Sequence, residues 1–301
     1  SVTRWRRCAS DLINAIDLQT AVEELSCARP ANELQRRRVL ESFQVAMPEL
    51  LRRGECVELV SRLPLGNDAQ TVLKKFFMML AHKLRHRDAQ FEATELLHVP
   101  LVLQRVEFQD HTLFDDFCLK CAASWTSLNT SELSTLLRGA EDYRLLHPTQ
   151  GRALTRLLAA LTHSVEDIQN PAASASLGQA ALSVRSRAAC GELLAKVRSV
   201  LRHSAPTEAA SSSSDASFGE VAGLLHAAAE LHVAVGGLEE TLQILLKGLT
   251  NMLAEQGSID GTHLMRLTKS CGLSHWSSRV ESQALFEALR GKVLAGDADA
   301  E

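Results

Sequence analysis

Aromatic residues are scarce in this chain of 301 residues, which holds nine Phe, three Trp and one Tyr. Aromatic and β-branched side chains are favoured in strands, whereas the Leu, Ala, Arg, Gln and Glu that are abundant here favour helices. Hydrophobic residues make up 46% of the chain and charged residues 23%, which excludes a disordered chain and supports a sizeable buried core. The composition therefore predicts an all-α protein.

Long apolar runs and patterned cysteines are also missing. Runs such as residues 76–81 fall far short of the roughly 18 residues of a transmembrane helix, so no membrane span is predicted. The seven cysteines are an odd, scattered set, which favours free thiols in a reducing compartment. Cys118 and Cys121 have the spacing of half a zinc site, but no second pair follows. At i and i+3 of a helix they fit core thiols.

Motifs of catalysis are absent from the sequence. It has no phosphate-binding glycine loop, no nucleophile elbow and no carboxylate pair spaced for acid–base chemistry. His82 and His86 lie at i and i+4, but no third ligand is near, and the basic residues around them favour a solvated face. Asp115 and Asp116 fit the solvent edge of an amphipathic helix. We therefore expect no enzymatic activity, no cofactor and no metal.

Leucines recur at a fixed offset of 88 residues. Residues 132–162 match residues 220–250 without a gap at nine of thirty-one positions. Both blocks hold an L-x-x-L-L helix, a break and a second Leu-rich helix. The break is His-Pro at 147–148 in the first copy and Gly-Gly at 236–237 in the second. A cap for the first helix is expected at 130–132, Thr-Ser-Glu.

Each block predicts a pair of antiparallel helices with one apolar stripe per helix. Weaker copies precede, separate and follow the two strong ones, at 91–125, 176–203 and 264–289. Since one pair cannot cover its own stripe, neighbouring pairs are expected to stack. This predicts an α-solenoid of tandem antiparallel helical hairpins with repeats of about 40 residues. A compact helical bundle is the alternative.

The pattern divides the chain into five segments. We predict N-terminal helices in 1–54, helical repeats in 55–203, a Ser-rich flexible loop in 204–216, C-terminal helical repeats in 217–294 and an acidic tail in 295–301. Charge follows the same division, because residues 206–301 hold six basic and thirteen acidic side chains, against seven and three in 151–205. The C-terminal third is therefore expected to face proteins rather than phosphates.

Basic residues are the candidate functional residues. With a net charge of −4, the chain lacks the global positive field of a dedicated nucleic-acid binder. Equivalent positions of successive hairpins line one face of a solenoid, however, so cations from different repeats can form a stripe that contacts phosphates. Solvated faces balanced by Glu and Asp are the alternative. The candidate RNA-phosphate contacts are Lys74, Lys75, Lys83, Arg85, Arg87, Arg152, Arg156, Arg185, Arg187, Arg198 and Arg202.

The strong repeats carry a resemblance to a known family. Ser131-Glu132-Leu133-x-x-Leu136-Leu137-x-x-Ala140, followed by Leu154-x-x-Leu157-Leu158-x-x-Leu161, resembles the organellar helical-repeat proteins of the heptatricopeptide and octotricopeptide (RAP-associated) type. The resemblance covers about 91–294. It implies a scaffold subunit of a mitochondrial ribonucleoprotein, mitoribosome-associated, that contacts ribosomal or other organellar RNA and neighbouring proteins.

The ends of the sequence bear on the same expectation. The first ten residues are basic and free of acids, which favours a mitochondrial location, with a cytoplasmic one as the alternative. Because the last third is acidic, the second hypothesis is a protein-only scaffold or accessory subunit of another assembly, such as a respiratory-chain complex. Salt-dependent RNA binding separates the two hypotheses.

Overall fold

The protein is all-helical in the computed structural model, which describes residues 33–53, 57, 60, 69–85, 93–105, 110–143, 153–168, 170–210, 218–255, 267, 269 and 283–291. These residues contain no strand, so the all-α prediction is confirmed for them. The chain falls into two compact units, one built from 1–124 with 139–156 and the other from 125–138 with 157–301.

The described helices are numbered in the order of the chain. The first unit holds α1 (Glu33–Arg53), α2 (Ala69–Arg85), α3 (Ala93–Arg105) and α4 (His111–Ser124). Helices α5 (Thr130–Asp142) and α6 (Ala153–Asp167) contribute residues to both units. The second unit holds α7 (Pro171–Leu182), α8 (Gly191–Ala210), α9 (Phe218–Val235) and α10 (Glu239–Glu255), with short 3₁₀ turns at Trp125–Ser127 and Arg187–Cys190. Residues 283–291 are also helical.

In the first unit α2 lies between α1 and α4, and α3 also packs on α4. Much of the chain's small stock of aromatic rings is buried here, with Phe43, Phe76 and Phe117 fully covered. The ring of Phe114 lies 5.3 Å from the rings of both Phe117 and Tyr143, measured between centroids. Large rings thus fill the core of this unit.

In the second unit two consecutive helical hairpins lie side by side. Helix α7 pairs with α8, and α9 pairs with α10. Across the two hairpins, first helix packs on first helix (α7 on α9) and second on second (α8 on α10). Each hairpin therefore covers the apolar side of the other, as expected of neighbouring units in a helical repeat.

The offset of 88 residues reappears in the helix bounds. Helices α5 and α9 begin at Thr130 and Phe218, and helices α6 and α10 end at Asp167 and Glu255. The leucines that match between the two copies are buried in both. A hydrogen bond also recurs: the Thr162 hydroxyl donates to the Leu158 carbonyl at 2.7 Å, and that of Thr250 to Leu246 at 2.8 Å. The internal similarity is therefore structural as well as sequential.

Local boundaries differ from the sequence-based expectation at two places. The cap of α5 is Asn129, whose Oδ1 accepts from the Glu132 N–H at 3.0 Å while the Glu132 carboxylate accepts from the Asn129 N–H at 2.8 Å. This reciprocal capping box begins one residue before the expected cap at 130–132. Helix α8 continues through Ala210, so residues 204–210 of the predicted Ser-rich loop are helical.

The remaining boundary predictions concern the two breaks between helices, the Ser-rich loop and the acidic tail. The expected break at 147–148, the rest of the Ser-rich loop at 211–216 and the acidic tail at 295–301 lie outside the described residues. The break at Gly236 and Gly237 is confirmed. Both glycines have positive φ, 71° and 76°, a conformation that side-chain-bearing residues rarely adopt and that ends α9.

Of the described helices, α9 alone is long and apolar enough by length and composition to cross a membrane, which the short apolar runs of the sequence did not foreshadow. Half of it is buried within the protein, and it packs on α7, α8 and α10. A buried core helix passes the same test of length and composition. The packing of α9 favours that interpretation.

Close packing between the two hairpins gives a first prediction. A Cβ added at Gly178 on α7 would lie 2.9 Å from Leu231 Cδ1 and 3.0 Å from Val197 Cγ1, both on buried side chains. Although Ala is better than Gly in most helices, Gly178→Ala is expected to destabilise the protein by about 1–3 kcal/mol through overpacking. The measurement is the midpoint of urea denaturation, monitored by circular dichroism.

Gly223 on α9 provides the matched control. A Cβ added there meets nothing within 4 Å, so Gly223→Ala is expected to stabilise the protein by about 0.5–1 kcal/mol through the lower chain entropy of the unfolded state. Equal effects of the two substitutions would contradict the proposed close approach of α7 to α8 and α9.

Candidate functional site

The candidate RNA-contacting cations are spread over several helices and have different surroundings. Lys74, Lys75, Lys83 and Arg85 lie on α2, Arg156 on α6, and Arg198 and Arg202 on α8. Arg185 precedes the 3₁₀ turn that Arg187 begins. Arg87 and Arg152 lie outside the described residues.

Lys83 points into the protein rather than to solvent. Its ammonium group donates to both carboxylate oxygens of Glu95 on α3, at 2.9 and 3.2 Å, and to the Leu51 carbonyl near the end of α1. The Glu95 side chain is fully buried and that of Lys83 is 14% exposed. Lys83 therefore joins three helices and is not available to a phosphate, which corrects its assignment as an RNA contact.

Two aspartates on α4 bind two of the candidate arginines. The Arg85 Nε lies 2.8 Å from Asp116 Oδ2, and an Arg156 guanidinium nitrogen lies 2.6 Å from Asp115 Oδ1. Asp115 and Asp116, expected only at a solvent edge, thus act as partners of Arg156 and Arg85. Each arginine has part of its charge balanced within the chain, which lowers its value to an external phosphate.

Arg198 and Arg202 hold the joint between α9 and α10. The Arg202 Nε donates to the Gly237 carbonyl at 2.6 Å, and Arg198 makes a longer contact of 3.5 Å with the Val235 carbonyl. The Val235 carbonyl is at the C-terminal end of α9, where helix carbonyls lack backbone partners and carry partial negative charge, and the Gly237 carbonyl follows two residues later. The two arginines of one hairpin therefore cap the first helix of the next.

Lys74, Lys75 and Arg187 remain as exposed cations for which the described part of the chain provides no ion pair. Arg185 is exposed too. The structure places Lys74 and Lys75 together on α2 and Arg187 at the 3₁₀ turn of the second unit.

Three cysteines, Cys118, Cys121 and Cys190, lie in the described ranges, and all three are buried, as expected of core thiols. Burial raises the pKa of the Cys118 and Cys121 thiols well above the ordinary value, and the Asp115 carboxylate adds to the effect at Cys118. A thiol held protonated is a poor nucleophile and a poor metal ligand.

Tyr143, next to the same cluster of rings, is similarly inert. Burial, reinforced by the Asp110 carboxylate, raises the pKa of Tyr143 to about 12. Its phenol therefore stays neutral near pH 7. Within the described ranges no three His, Cys, Asp or Glu side chains are grouped to hold a metal ion.

A polar cluster around Glu230 on α9 was missed by the sequence analysis. Its carboxylate accepts from the Gln179 amide of α7 at 2.8 Å, and His226 Nε2 and Lys269 Nζ lie 3.4 and 3.9 Å from it. The available signal was a carboxylate in the middle of a largely apolar helix, one turn after a histidine. The cluster links elements of the second unit and explains why a charged residue is accepted on this helix.

A groove of about 610 Å³ lies beside the joint between α9 and α10, next to Arg202 and His203 of α8. Its acidic lining residues, Glu239 and Glu240, lie in the first turn of α10, where carboxylates stabilise the positive end of the helix. His203 Nδ1 lies 2.6 Å from the Ser199 carbonyl of its own helix. Glu239 and Glu240 are thus explained by a helix end, and His203 by a contact within its own helix.

The buried pair of Lys83 and Glu95 gives a second prediction. Lys83→Met leaves the Glu95 carboxylate buried without its ammonium partner, and is expected to destabilise the protein by about 3–5 kcal/mol. Adding Glu95→Met removes the uncompensated charge, and the double variant is expected to recover at least half of that loss. Urea denaturation of the three proteins measures both effects.

Lys74→Met is the control for Lys83→Met, because it makes the same substitution on the same helix. Lys74 is exposed, so its replacement is expected to alter the free energy of unfolding by no more than about 0.5 kcal/mol. A Lys83→Met variant as stable as Lys74→Met would show that Lys83 is not needed to hold Glu95 in the core.

The joint at Gly236 and Gly237 gives a third prediction. A Cβ at Gly237 would lie 2.8 Å from an Arg202 guanidinium nitrogen, whereas one at Gly236 meets nothing within 4 Å. Each Gly→Ala change is expected to cost about 1–2 kcal/mol because φ is positive. Combined with Arg202→Ala, the Gly237→Ala loss is expected to be less than additive by about 0.5–1 kcal/mol, and the Gly236→Ala loss additive.

A double-mutant cycle measured by urea denaturation tests this difference between the two glycines. Additivity at both glycines would mean that Arg202 does not bind the joint in solution. Coupling at Gly236 as large as at Gly237 would contradict the geometry described for the two positions.

Comparison with known proteins adds no family assignment. No model of a protein family matches the chain, and no curated protein is significantly similar to it in sequence. The functional argument therefore depends on the surfaces and contacts of the described residues.

Proposed function

We propose that the chain is a non-enzymatic helical-repeat scaffold that works as one subunit of a larger assembly. The observation that carries this proposal is the repeat itself: helix bounds, buried leucines and a threonine hydrogen bond recur at an offset of 88 residues. The side-by-side packing of the α7/α8 and α9/α10 hairpins supports an α-solenoid with repeats of about 40 residues. Such stacks present extended surfaces, which suit binding of other macromolecules.

The proposed setting is a mitochondrial ribonucleoprotein, with the chain as a mitoribosome-associated subunit. Support comes from the L-x-x-L-L-x-x-A pattern that resembles organellar helical-repeat proteins. Leu133, Leu136, Leu137 and Ala140 of this pattern are all buried in α5, as a core motif of such repeats requires. The resemblance carries the mitochondrial location, and Arg187 is an exposed candidate cation that is available to a phosphate.

A protein-only assembly, such as a respiratory-chain complex, is the second candidate. One observation favours it: Lys83, Arg85, Arg156, Arg198 and Arg202 each bind an acidic group or a carbonyl of this same chain. Fewer uncompensated cations mean fewer counterions released on binding RNA, and therefore weaker and less salt-dependent affinity. In either setting, we propose that most contacts of the scaffold are made to neighbouring proteins.

Affinity isolation of the tagged protein from mitochondria tests the proposal. We expect mitoribosomal proteins and ribosomal RNA among the isolated components, measured by mass spectrometry and RNA quantification. Because protein contacts are proposed to dominate, limited RNase treatment is expected to leave most protein partners attached. Recovery of another complex without ribosomal RNA would favour the protein-only assembly, and recovery of the chain alone would contradict the scaffold proposal.

A further inference from the structure

The outward side of α2 differs in charge from the rest of the chain. Helix Ala69–Arg85 contains Lys74, Lys75, Lys83 and Arg85 and no acidic residue, although the whole chain has a net charge of −4. Two of these cations have partners: Lys83 binds Glu95 and Arg85 binds Asp116. The positive charge that remains is concentrated at Lys74 and Lys75.

Apolar surface lies directly beside these two lysines. Met78 is 68% exposed and lies one helical turn after Lys74 and Lys75, so the three side chains are neighbours on the helix surface. Met79 next to it is half-buried. We call Lys74, Lys75, Met78 and Met79 the Lys-Met face. It spans about 8 Å along the helix at 1.5 Å per residue.

The rest of the helix is fixed by the core. Val72, Phe76, Phe77 and Leu80 are buried, so they anchor α2 and leave the Lys-Met face turned outward. The two phenyl rings on this helix are therefore withheld from the surface and are not available to stack on nucleic-acid bases.

We propose that the Lys-Met face binds an acidic amphipathic helix of a neighbouring protein subunit. Carboxylates of the partner pair with Lys74 and Lys75, and an aliphatic side chain between them covers Met78. Charge complementarity selects an acidic partner, and the apolar component selects protein over RNA, since a phosphate backbone offers nothing to cover a methionine. The flexible, unbranched methionine side chain adapts well to an apolar partner surface.

This inference rests on the proposed scaffold function and names the chemistry of one partner. It makes α2 a docking helix of the first unit, on which Met78 adds an apolar contact and the lysines attract and select the partner. Electrostatic attraction of this kind raises the rate of association and lowers binding to partners of the wrong charge.

A synthetic helical peptide tests the proposal. The probe is an acetylated, amidated peptide of about 21 residues with three Glu-Leu-Ala-Ala-Glu-Ala-Ala repeats, which places carboxylates one turn apart beside leucines. Binding to the full chain is measured by fluorescence anisotropy. We expect binding that weakens between about 50 mM and 300 mM salt, and at least about tenfold weaker binding after Lys74→Glu with Lys75→Glu.

Matched controls test whether peptide binding depends on the Lys-Met face rather than on net charge or on exposed apolar surface elsewhere. Met78→Gln is expected to weaken peptide binding by about threefold or more, while Leu119→Gln on α4 is expected to leave it unchanged. Leu119 is also 68% exposed, so the two changes remove equally exposed apolar groups. Lys247→Glu, at an exposed lysine of α10, is the charge control for Lys74→Glu alone, and it is expected to weaken peptide binding less than Lys74→Glu does. Circular dichroism checks that each variant folds.

A single-stranded oligouridylate of about 20 nucleotides is the RNA probe, with salt dependence as its signature. If the lysine variants lose oligouridylate binding but keep peptide binding, the face is an RNA site and the proposal is overturned. It is also overturned if Met78→Gln and Leu119→Gln act alike, or if Lys247→Glu weakens the peptide as much as Lys74→Glu. The isolation experiment above tests the scaffold function independently, so the two can fail separately.

Discussion

The fold depends on the inability of one helical pair to cover its own apolar stripe. In the second unit, α7 and α8 bury leucines and alanines against α9 and α10, and neither hairpin can shield these side chains alone. Burying a leucine side chain contributes about 1.5–3 kcal/mol, so leaving a whole stripe exposed is unaffordable for a marginally stable protein. The first helices of the two hairpins therefore pack on each other, as do the second helices, because this arrangement covers the apolar stripe of each helix with a similar stripe. The outer faces are then free to vary.

The same stacking determines what the basic residues do. Lys83, Arg198 and Arg202 all donate to carbonyls at or just beyond a helix C-terminus, and Arg85 and Arg156 pair with adjacent aspartates on α4. Carbonyls at a helix end present concentrated negative charge, as phosphate oxygens do, so both attract a guanidinium or ammonium group. A cation that lies between stacked helices therefore binds a carbonyl or carboxylate of its own chain in preference to an external partner. Cations on a face that no neighbour covers are the ones left for partners.

This explains which predictions the sequence could support. The leucine period is local information, and it indicated the helices whose bounds recur at the 88-residue offset. The cap moved from 130–132 to Asn129 because Asn, Thr and Ser cap helices almost equally well. The helix reaching Ala210 was missed because Pro206 and serines nearby are typical of loops. Partners of the arginines lie 31 to 41 residues away, at Asp116, Gly237 and Asp115, so no local pattern identified them.

Sequence separations of this size carry a further consequence for helical repeats. A separation of 31 to 41 residues is close to the proposed repeat of about 40 residues, and each of these contacts joins a helix to an element beyond the next helix in the chain. Charge counts summed over a segment then mix cations that hold the stack together with cations that face outward. Only the second class can bear on partners, and α2 contains both: Lys83 faces Glu95, whereas Lys74 lies outward beside Met78. For chains built from stacked hairpins, charge becomes informative about binding only after the contacts between neighbouring pairs have been subtracted.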